Sequence, residues 1–387
     1  MTTARADRPA ATAVPPRDLA TALRAAGVTD VDDSARRRAE YSSDASNYRV
    51  VPSVVVFPRH VDEAAAALDV ARQAGVPVTS RGAGTSIAGN AVGSGVVLDF
   101  SKHLNRVLAV DPASRTAVAE PGAILDDITA AAAPHGLRFG PDPSTHSRAS
   151  IGGSVGNNAC GSRALRYGRA ADNVVSLDVL TAAGERLSAR RMGRDGLAAA
   201  GPAGRIGAAL DRLVTAHLGM IRSEFGRFTR QVSGYSLEHL LPENGADLAK
   251  FLAGTEGTLG MTVGATVALV PSPKAVALAV LGFPGMPEAA DAVPRLLPHQ
   301  PVALEGMDAR LVEVFQGVAG HLPGEPAELG ADQAEVRPGQ RVQRGAYRPG
   351  GGQAVPAHAP RRQPLPRGGQ HVHADHVVRG AAVPQRP

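Results

Sequence analysis

The chain has 387 residues, enough for two domains or for one large domain with appendages. Its single cysteine excludes an internal disulfide and a cysteine-based zinc or iron–sulfur site. Aromatic residues make up 3% and Trp is absent, which argues against a surface that stacks single-stranded nucleic acid. The net charge is +5, but residues 326–387 hold nine Arg and four acidic residues. The rest of the chain is therefore neutral, and no nucleic-acid partner is predicted.

No segment predicts export or membrane insertion. The N-terminus lacks an apolar core of signal-peptide length, and no apolar run is long enough to form a transmembrane segment. The sequence therefore predicts a soluble, cytoplasmic protein, with peripheral attachment at the inner membrane face as the alternative.

Short strands and helices alternate in the first quarter of the chain. Residues 1–46 are expected to be a partly helical N-terminal segment. A buried strand over 54–57, an amphipathic helix over 61–74 and a strand over 76–79 predict a β-α-β unit. This unit leads into a glycine-rich loop at residues 81–89 (RGAGTSIAG).

The middle of the chain contains a polar, glycine-rich segment, residues 141–167 (PDPSTHSRASIGGSVGNNACGSRALRY). It holds the pair Gly152-Gly153, a paired amide and the only cysteine, with almost no large apolar side chain. Glycines let a backbone approach a ligand, while Asn, Ser and backbone N–H groups offer hydrogen bonds to a polar ring or a phosphate. We therefore expect an irregular ligand-binding loop rather than a packed helix or strand. Together with the first loop, it suggests one extended ligand held at two points.

The remaining predicted elements follow the same criteria of apolar spacing and turn residues. A third glycine-rich stretch lies at residues 253–261 (AGTEGTLGM), and Pro271-Ser272-Pro273 indicates a domain boundary. The predicted strands are 96–99, 106–110, 116–120, 174–181, 186–189, 262–269, 275–282 and 302–304, and the predicted helices are 123–135, 206–228 and 287–297.

The composition changes abruptly near residue 322. Between 326 and 387 there is no Ser, Thr, Asn, Ile, Lys, Phe or Met, and no apolar periodicity persists. Residues 325–387 are therefore predicted to be a low-complexity, disordered tail. The position of the change favours a reading-frame shift; the alternative is a natural tail.

The first loop also invites comparison with an NAD-binding fingerprint, because Gly82 and Gly84 follow a strand and Asp99 ends the next one. The next glycine is Gly89, which is too late, and the segment after the loop is too rich in Gly for the long helix that the fingerprint requires. NAD binding is therefore disfavoured. A turn of backbone N–H groups can hold a pyrophosphate without a helix.

Three motifs, RGAGTSIAG, PDPSTHSRASIGGSVGNNACGSRALRYG and GTEGTLG, carry a family resemblance in their order and spacing. They resemble the flavin-binding domain of the vanillyl-alcohol-oxidase/p-cresol-methylhydroxylase (PCMH) superfamily, in its D-lactate dehydrogenase/glycolate oxidase subunit branch. The resemblance covers about residues 48–322. It implies an α+β protein with a PCMH-type FAD-binding domain of two α/β subdomains over 47–272. The start of a ferredoxin-like α+β substrate domain would follow over 273–324, before the disordered tail.

The resemblance implies FAD as the cofactor. The linkage would be non-covalent, because the first loop has no His of the kind that attaches flavin in this superfamily. The first loop would wrap the pyrophosphate, the central segment would lie against the flavin and the adenine–ribose side, and the third motif would add a late contact. The implied cofactor-binding residues are Arg81, Gly82, Ala83, Gly84, Thr85, Ser86, Pro143, Ser144, Ala149, Ser150, Gly152, Gly153, Asn157, Gly161, Tyr167, Glu256, Gly257, Thr258 and Leu259.

The implied activity is oxidation of a small D-2-hydroxy acid of the D-lactate or glycolate type. A hydride would pass to flavin N5, and the electrons would pass to an acceptor other than NAD, such as an iron–sulfur protein. The family's H-x-G-D-G-N-x-H segment and the iron–sulfur half found fused in some relatives are absent, so a truncated chain with impaired turnover is expected. The alternatives are an FAD-binding subunit completed by a partner chain, within a homo- or hetero-oligomer, and a reductase of the enolpyruvyl type.

No catalytic residue is assigned, and no metal site is predicted. Cys160 is interpreted as a small packing residue. Arg163, Arg166 and Tyr167 could either reach an anionic substrate or cap the central loop. His371 and His373 have the spacing of metal ligands but lie in the tail, where we treat the spacing as coincidental.

Overall fold

The computed structural model describes residues 16–193, 196, 202–228, 230–319, 345–346 and 376–381. These residues fall into two units, with the boundary between Ser272 and Pro273. The first unit contains two sheets and the second contains one.

The first sheet has four strands in the order β1-β2-β4-β3. Strands β2, β4 and β3 run parallel, and β1 joins the edge antiparallel to β2. The elements of this part are α1 (Pro16–Ala25), β1 (Val31–Asp32), α2 (Ala35–Glu40), β2 (Val54–Val56), α3 (Val61–Ala74), β3 (Val78–Arg81) and β4 (Val96–Asp99).

Helix α3 has the bounds that its apolar spacing predicts. Its buried alanines, among them Ala64, Ala67 and Ala71, form one face and share a core with α1 and the strands. Gly75 ends the helix in the left-handed region, at φ 66°, where a side chain would be strained. Strand β3 begins two residues later than predicted, so it ends at Arg81, next to the first glycine-rich loop.

The second sheet has six strands, all antiparallel, and β10 is its longest strand. β10 pairs with β8 on one side and with β6 and β7 on the other. The elements are β5 (Val107–Asp111), β6 (Thr116–Ala119), α4 (Leu125–Ala132), β7 (Leu137–Phe139), α5 (Ile151–Asn157), α6 (Ala164–Tyr167), β8 (Val174–Leu180), β9 (Arg186–Arg190), α7 (Pro202–Ala216), α8 (Leu218–Glu224), α9 (Leu248–Leu252) and β10 (Met261–Pro271).

Strand β10 contributes to both cores of the first unit. Met261 and Val263, at its start, belong to the core of the first sheet, whereas Ala265, Val267 and Leu269 belong to the core of the second. Alternate residues of β10 are buried, which is the pattern of a strand with one face in the core. One strand, which begins where the third glycine-rich stretch ends, is thereby shared by the cores of the two subdomains.

The expectation of a wholly irregular central segment was wrong, because the segment contains helix α5. Ser150 caps it by accepting a hydrogen bond from the Gly153 N–H at 3.3 Å, and Ile151 and Val155, four residues apart, are both buried. Two apolar residues at helical spacing and a serine cap stabilise one short helix despite three glycines. The glycines are tolerated because tertiary packing outweighs their low helix propensity.

The predicted helix over 206–228 is two helices. Helix α7 ends at Ala216, and His217 departs from helical geometry (φ −119°, ψ 20°) before α8 begins at Leu218.

The second unit contains one antiparallel sheet with the strand order β12-β14-β11-β13. Its elements are β11 (Ala277–Phe283), α10 (Met286–Leu296), β12 (Ala303–Met307), α11 (Ala309–Ala319), β13 (Gly345–Ala346) and β14 (His376–Ala381).

Two of these strands lie within the segment predicted to be disordered. β14 pairs with β11 on one side and with β12 on the other, and β13 pairs with β11. Composition alone misses such strands, because sheet hydrogen bonds come from the backbone and β14 needs only the short run HVVRGA. The rest of the predicted tail lies outside the described residues.

Candidate cofactor-binding site

A cleft of about 600 Å³ lies in the first unit. Its walls include parts of all three glycine-rich segments: residues 79–88, most of 149–160, and 255–262. This volume is within the range of small-molecule and cofactor sites. The cleft is therefore the candidate functional site of the first unit.

The first loop is built around Arg81, the last residue of β3. The Arg81 guanidinium donates to the carbonyl oxygens of Ser43 and Ala91, both at 3.0 Å, and lies 4.8 Å from the centre of the Tyr41 ring. Gly84 has φ +67°, and a Cβ there would lie 2.5 Å from Arg81 Nη2. Arg81 thus stabilises the conformation of the loop. Its guanidinium is already bound to two carbonyl groups and to the Tyr41 ring.

No helix follows this loop, since β4 is the next element. Asp99, at the end of β4, is buried and accepts hydrogen bonds from Tyr41 Oη at 2.7 Å and from the Ser101 N–H and hydroxyl at 2.7 and 2.6 Å. Burial and the hydrogen bond to Asp99 raise the pKa of Tyr41. Both Asp99 oxygens therefore have partners within the protein. The carboxylate is thus not free to bind the ribose of NAD, as an NAD-binding interpretation requires.

The first and central segments meet at Gly82 and Ser150. A Cβ on Gly82 would lie 1.9 Å from Ser150 Oγ and 2.9 Å from Ser150 Cβ. Ser150 Oγ is also the cap of α5, so its position is set by the helix. The close approach of these residues, 68 positions apart, holds the two loops on the same cleft.

The third segment is attached to the C-terminal end of α5. The Glu256 N–H donates to the Gly156 carbonyl at 3.0 Å, and Asn157 Nδ2 donates to Glu256 Oε1 at 3.1 Å. The first of these bonds satisfies a carbonyl that the last turn of a helix leaves without an intrahelical partner. Glu256 adopts φ +54°, and its partial removal from water raises its pKa despite the bond from Asn157.

Sixteen of the nineteen predicted site residues line the cleft. The other three, Ser144, Gly161 and Tyr167, do not. A Cβ on Gly161 would lie 2.0 Å from the Asp142 carbonyl oxygen, and the Tyr167 side chain packs against Gly140. Their part in binding a cofactor stays a prediction, as does that of the sixteen.

Sequence analysis missed the apolar part of the wall. Pro121, Val179, Leu180 and Val232 line the cleft, yet they come from separate elements and carry no motif. Val179 and Leu180 lie on β8, whereas Pro121 and Val232 lie outside the strands and helices. Nothing local in the sequence distinguishes a strand residue that faces a cleft from one that faces a core.

Arg163 caps the central segment. Its backbone N–H donates to Asp142 Oδ1 at 2.9 Å, and its Nε lies 3.0 Å from Asp142 Oδ2. The Asp142 side chain is only 13% exposed, and this burial raises its pKa to about 6, against the opposing effect of nearby cations. Of the two roles considered for Arg163, the structure supports the cap.

Asp142 makes stability depend on pH, and Asp142→Asn should remove the dependence. Because the pKa rises from 3.8 in the unfolded chain to about 6 when folded, the contribution to stability is greatest below pH ~4 and falls by roughly 3 kcal/mol as pH rises past 6. Urea unfolding between pH 4 and 7 measures this. The difference between the native chain and the Asp142→Asn variant should shift in favour of the variant at neutral pH, while Asp291→Asn, at an exposed position on α10, should show no such shift. Parallel pH profiles for Asp142→Asn and the native chain would contradict the assignment.

Comparison with known proteins identifies a domain that includes two of the three glycine-rich segments lining this cleft. Residues 52–190 match the family model described as FAD binding domain. The chain therefore carries an FAD-binding domain. The residues present fit this cofactor, since the first loop offers a backbone turn without a helix and two segments approach each other without side-chain bulk at Gly82. The prediction that FAD is the cofactor is thus confirmed.

Two curated relatives are similar over about three quarters of this chain. The D-2-hydroxyglutarate dehydrogenase of Pseudomonas putida is 30% identical over 303 residues, covering 75% of this chain and 30% of that protein. The glycolate oxidase subunit GlcD of Bacillus subtilis is 30% identical over 302 residues, covering 77% of this chain and 54% of its own length. The matched part thus spans between about a third and about a half of these relatives.

A solved structure shows the same fold. Alkyldihydroxyacetonephosphate synthase superimposes with a TM-score of 0.54 and 19% identity, covering 74% of this chain and 46% of that one. The predicted PCMH-type, mixed α and β architecture of the FAD-binding domain is confirmed.

Membrane and metal features were also sought in the described residues. None of their helices is both long enough and apolar enough to span a bilayer. No group of three or more His, Cys, Asp or Glu side chains in this part of the chain is placed to hold a metal ion. His371 and His373 lie outside the described residues.

Proposed function

We propose that the FAD-binding domain serves a dehydrogenase that oxidises a small D-2-hydroxy acid to the 2-oxo acid. The observation that carries the proposal is a cleft whose first two glycine-rich segments belong to a domain of the FAD-binding family, with residues 255–262 completing its wall. The names of both relatives, a D-2-hydroxyglutarate dehydrogenase and a glycolate oxidase subunit, specify 2-hydroxy acids. D-Lactate, glycolate and D-2-hydroxyglutarate are therefore the substrates to test.

The domain's own residues would bind and orient, whereas FAD, when bound, would supply the two-electron oxidation. The backbone of residues 82–86 would hold the pyrophosphate without covalent attachment. The segment that caps and forms α5 would lie along the ring system, and the 256–259 turn would close the far side. The Asp99 carboxylate, which an NAD ribose would require, already accepts hydrogen bonds from Tyr41 and Ser101. The electrons would therefore pass to an acceptor other than NAD.

A second candidate is an FAD-binding subunit that needs a partner chain for turnover. It is favoured by the word subunit in the name of the Bacillus subtilis relative and by the partial coverage of both relatives. In this case the domain would bind FAD fully, but substrate would reduce the flavin only after the partner chain is added.

The visible spectrum of the purified chain tests both candidates. After reconstitution with FAD and removal of excess cofactor, we expect an oxidised flavin band that anaerobic D-lactate, D-2-hydroxyglutarate or glycolate bleaches. L-Lactate is the matched control and should leave the band unchanged. Retained FAD that none of the acids reduces would overturn catalysis by this chain alone and favour the subunit role. Failure to retain FAD would contradict the cofactor assignment itself.

A further inference from the structure

A cationic side chain stands at the rim of the FAD cleft, near the C-terminal end of α5. Arg230 Nη2 donates to Cys160 Sγ at 2.9 Å, and Cys160 lines the cleft. Val232, two residues after Arg230, lines it as well. The guanidinium therefore lies beside the cleft wall although its own position in the sequence, between the recognised motifs, gave no sign of it.

Two other cations of this region, Arg81 and Arg163, are engaged with protein groups. Among the described residues that line the cleft, Arg81 is the only Lys or Arg, and it is bound to two carbonyl groups and the Tyr41 ring. Arg163 is paired with Asp142. In the described part of the chain, Arg230 has no carboxylate partner, and the thiol that it contacts is a weak acceptor. A guanidinium has five N–H groups, so donors remain for a planar, two-oxygen anion.

Hydrogen bonds of the neighbouring residue Gln231 fix the backbone of the segment that carries Arg230. Arg169, whose side chain is 8% exposed, donates to the Gln231 carbonyl oxygen and pairs with Asp172 through Nε at 3.0 Å. Gln231 Nε2 donates to the Glu224 carbonyl at 3.3 Å. A braced backbone lowers the entropy that Arg230 loses on binding an anion, which is the physical basis of preorganisation.

The position of Arg230 separates it from the loop expected to hold the FAD pyrophosphate. That loop meets Ser150 at the start of α5, whereas Cys160 follows the end of the helix. Seven helical residues at 1.5 Å each give α5 a length of about 10 Å, and Cys160 lies three residues beyond its last residue, Asn157. An anion at Arg230 is thus distinct from the pyrophosphate at residues 82–86.

We infer that Arg230 binds the carboxylate of the 2-hydroxy acid and so fixes the end of the substrate that does not react. This inference rests on the proposed function, because that function supplies a substrate with a carboxylate. Arg169 is a positioning residue in it, since it acts through the Gln231 backbone rather than on the ligand.

Oxalate binding to the FAD-loaded full-length chain tests the inference without requiring turnover. Oxalate is titrated while the flavin absorption spectrum is recorded, and the dissociation constant is compared among Arg230→Gln, Arg230→Lys and Arg227→Gln. We expect Arg230→Gln to weaken oxalate binding about tenfold or more, as for loss of a charge-assisted pair. Arg230→Lys should be intermediate, because lysine keeps the charge but not the two-point geometry.

Arg227→Gln is the matched control. It removes the same charge three residues away, where Arg227 pairs with Glu224 and donates to the Ser223 carbonyl, and oxalate affinity should change less than about twofold. The inference is overturned if oxalate leaves the native spectrum unchanged or binds Arg230→Gln equally well. It is also overturned if Arg230→Gln loses FAD instead of oxalate. If oxalate binds through Arg230 but no hydroxy acid reduces the flavin, the proposed oxidation of a 2-hydroxy acid is overturned, while the assignment of Arg230 as an anion-binding residue still holds.

Discussion

Replacing Gly82 with Ala is expected to weaken FAD retention about tenfold and to lower the free energy of unfolding by about 2 kcal/mol. The added Cβ would lie 1.9 Å from Ser150 Oγ and 2.9 Å from Ser150 Cβ. The two loops must then separate, or Ser150 must give up its hydrogen bond with the Gly153 N–H at the start of α5. Either change disturbs the contact between the two loops beside the expected pyrophosphate position. FAD retained after gel filtration and urea unfolding measure the two effects.

A second substitution distinguishes this contact from a general effect of alanine. Ser150→Gly removes the atoms that the new Cβ would meet, so Gly82→Ala should cost less in that background than in the native chain. Gly219→Ala is the control, because nothing lies within 4 Å of its added Cβ in helix α8, and it should not lower stability. Equal costs of Gly82→Ala in both backgrounds would show that the two loops do not touch as described.

Replacing Arg169 with Met should lower the free energy of unfolding by about 3 kcal/mol, because it leaves a partly buried carboxylate without its cation. In the native chain burial raises the pKa of Asp172, but the hydrogen bonds and charge of Arg169 outweigh it and hold the pKa below 3.8. The pair therefore stabilises the fold above pH ~4, and its contribution is lost as pH falls through the lowered pKa. The deficit of Arg169→Met should accordingly be largest at neutral pH and shrink in acid.

The Arg169 result is checked by a double substitution and an exposed ion pair. Asp172→Asn in the Arg169→Met background removes the unpaired charge and should recover part of the stability. Arg222→Gln breaks the exposed pair with Glu243 and should cost much less stability than Arg169→Met, because solvent screens that pair. A cost of Arg169→Met no larger than that of Arg222→Gln would mean that the buried cluster does not stabilise this region.

Local regularity of the sequence was sufficient for many elements of the fold. Helix α3 follows from four apolar positions at helical spacing and the glycine at its end, and the 54–56 and 96–99 strands follow from short apolar runs. Such elements are decided by residues that are neighbours in the chain, so a window of about ten or fifteen residues contains the necessary information. The FAD-binding character was equally accessible, because the glycine-rich motifs are themselves local.

Contacts between distant residues could not be predicted in this way. The approach of Gly82 to Ser150 and the reach of Arg230 to Cys160 each join residues about 70 positions apart, and no spacing rule relates them. Helix α5 forms because Ile151 and Val155 find a core on the second sheet, although its glycines favour a loop.

Composition and local patterns were enough to predict a protein of mixed α and β elements, three glycine-rich segments and a body without net charge. Only the packing of distant segments shows which atoms they present to one another, that Arg81 and Arg163 bind groups of the protein itself, and that Arg230 lies beside the cleft. The physical reason is that periodicity reports which face of an element is buried, whereas a binding site depends on how separate elements pack.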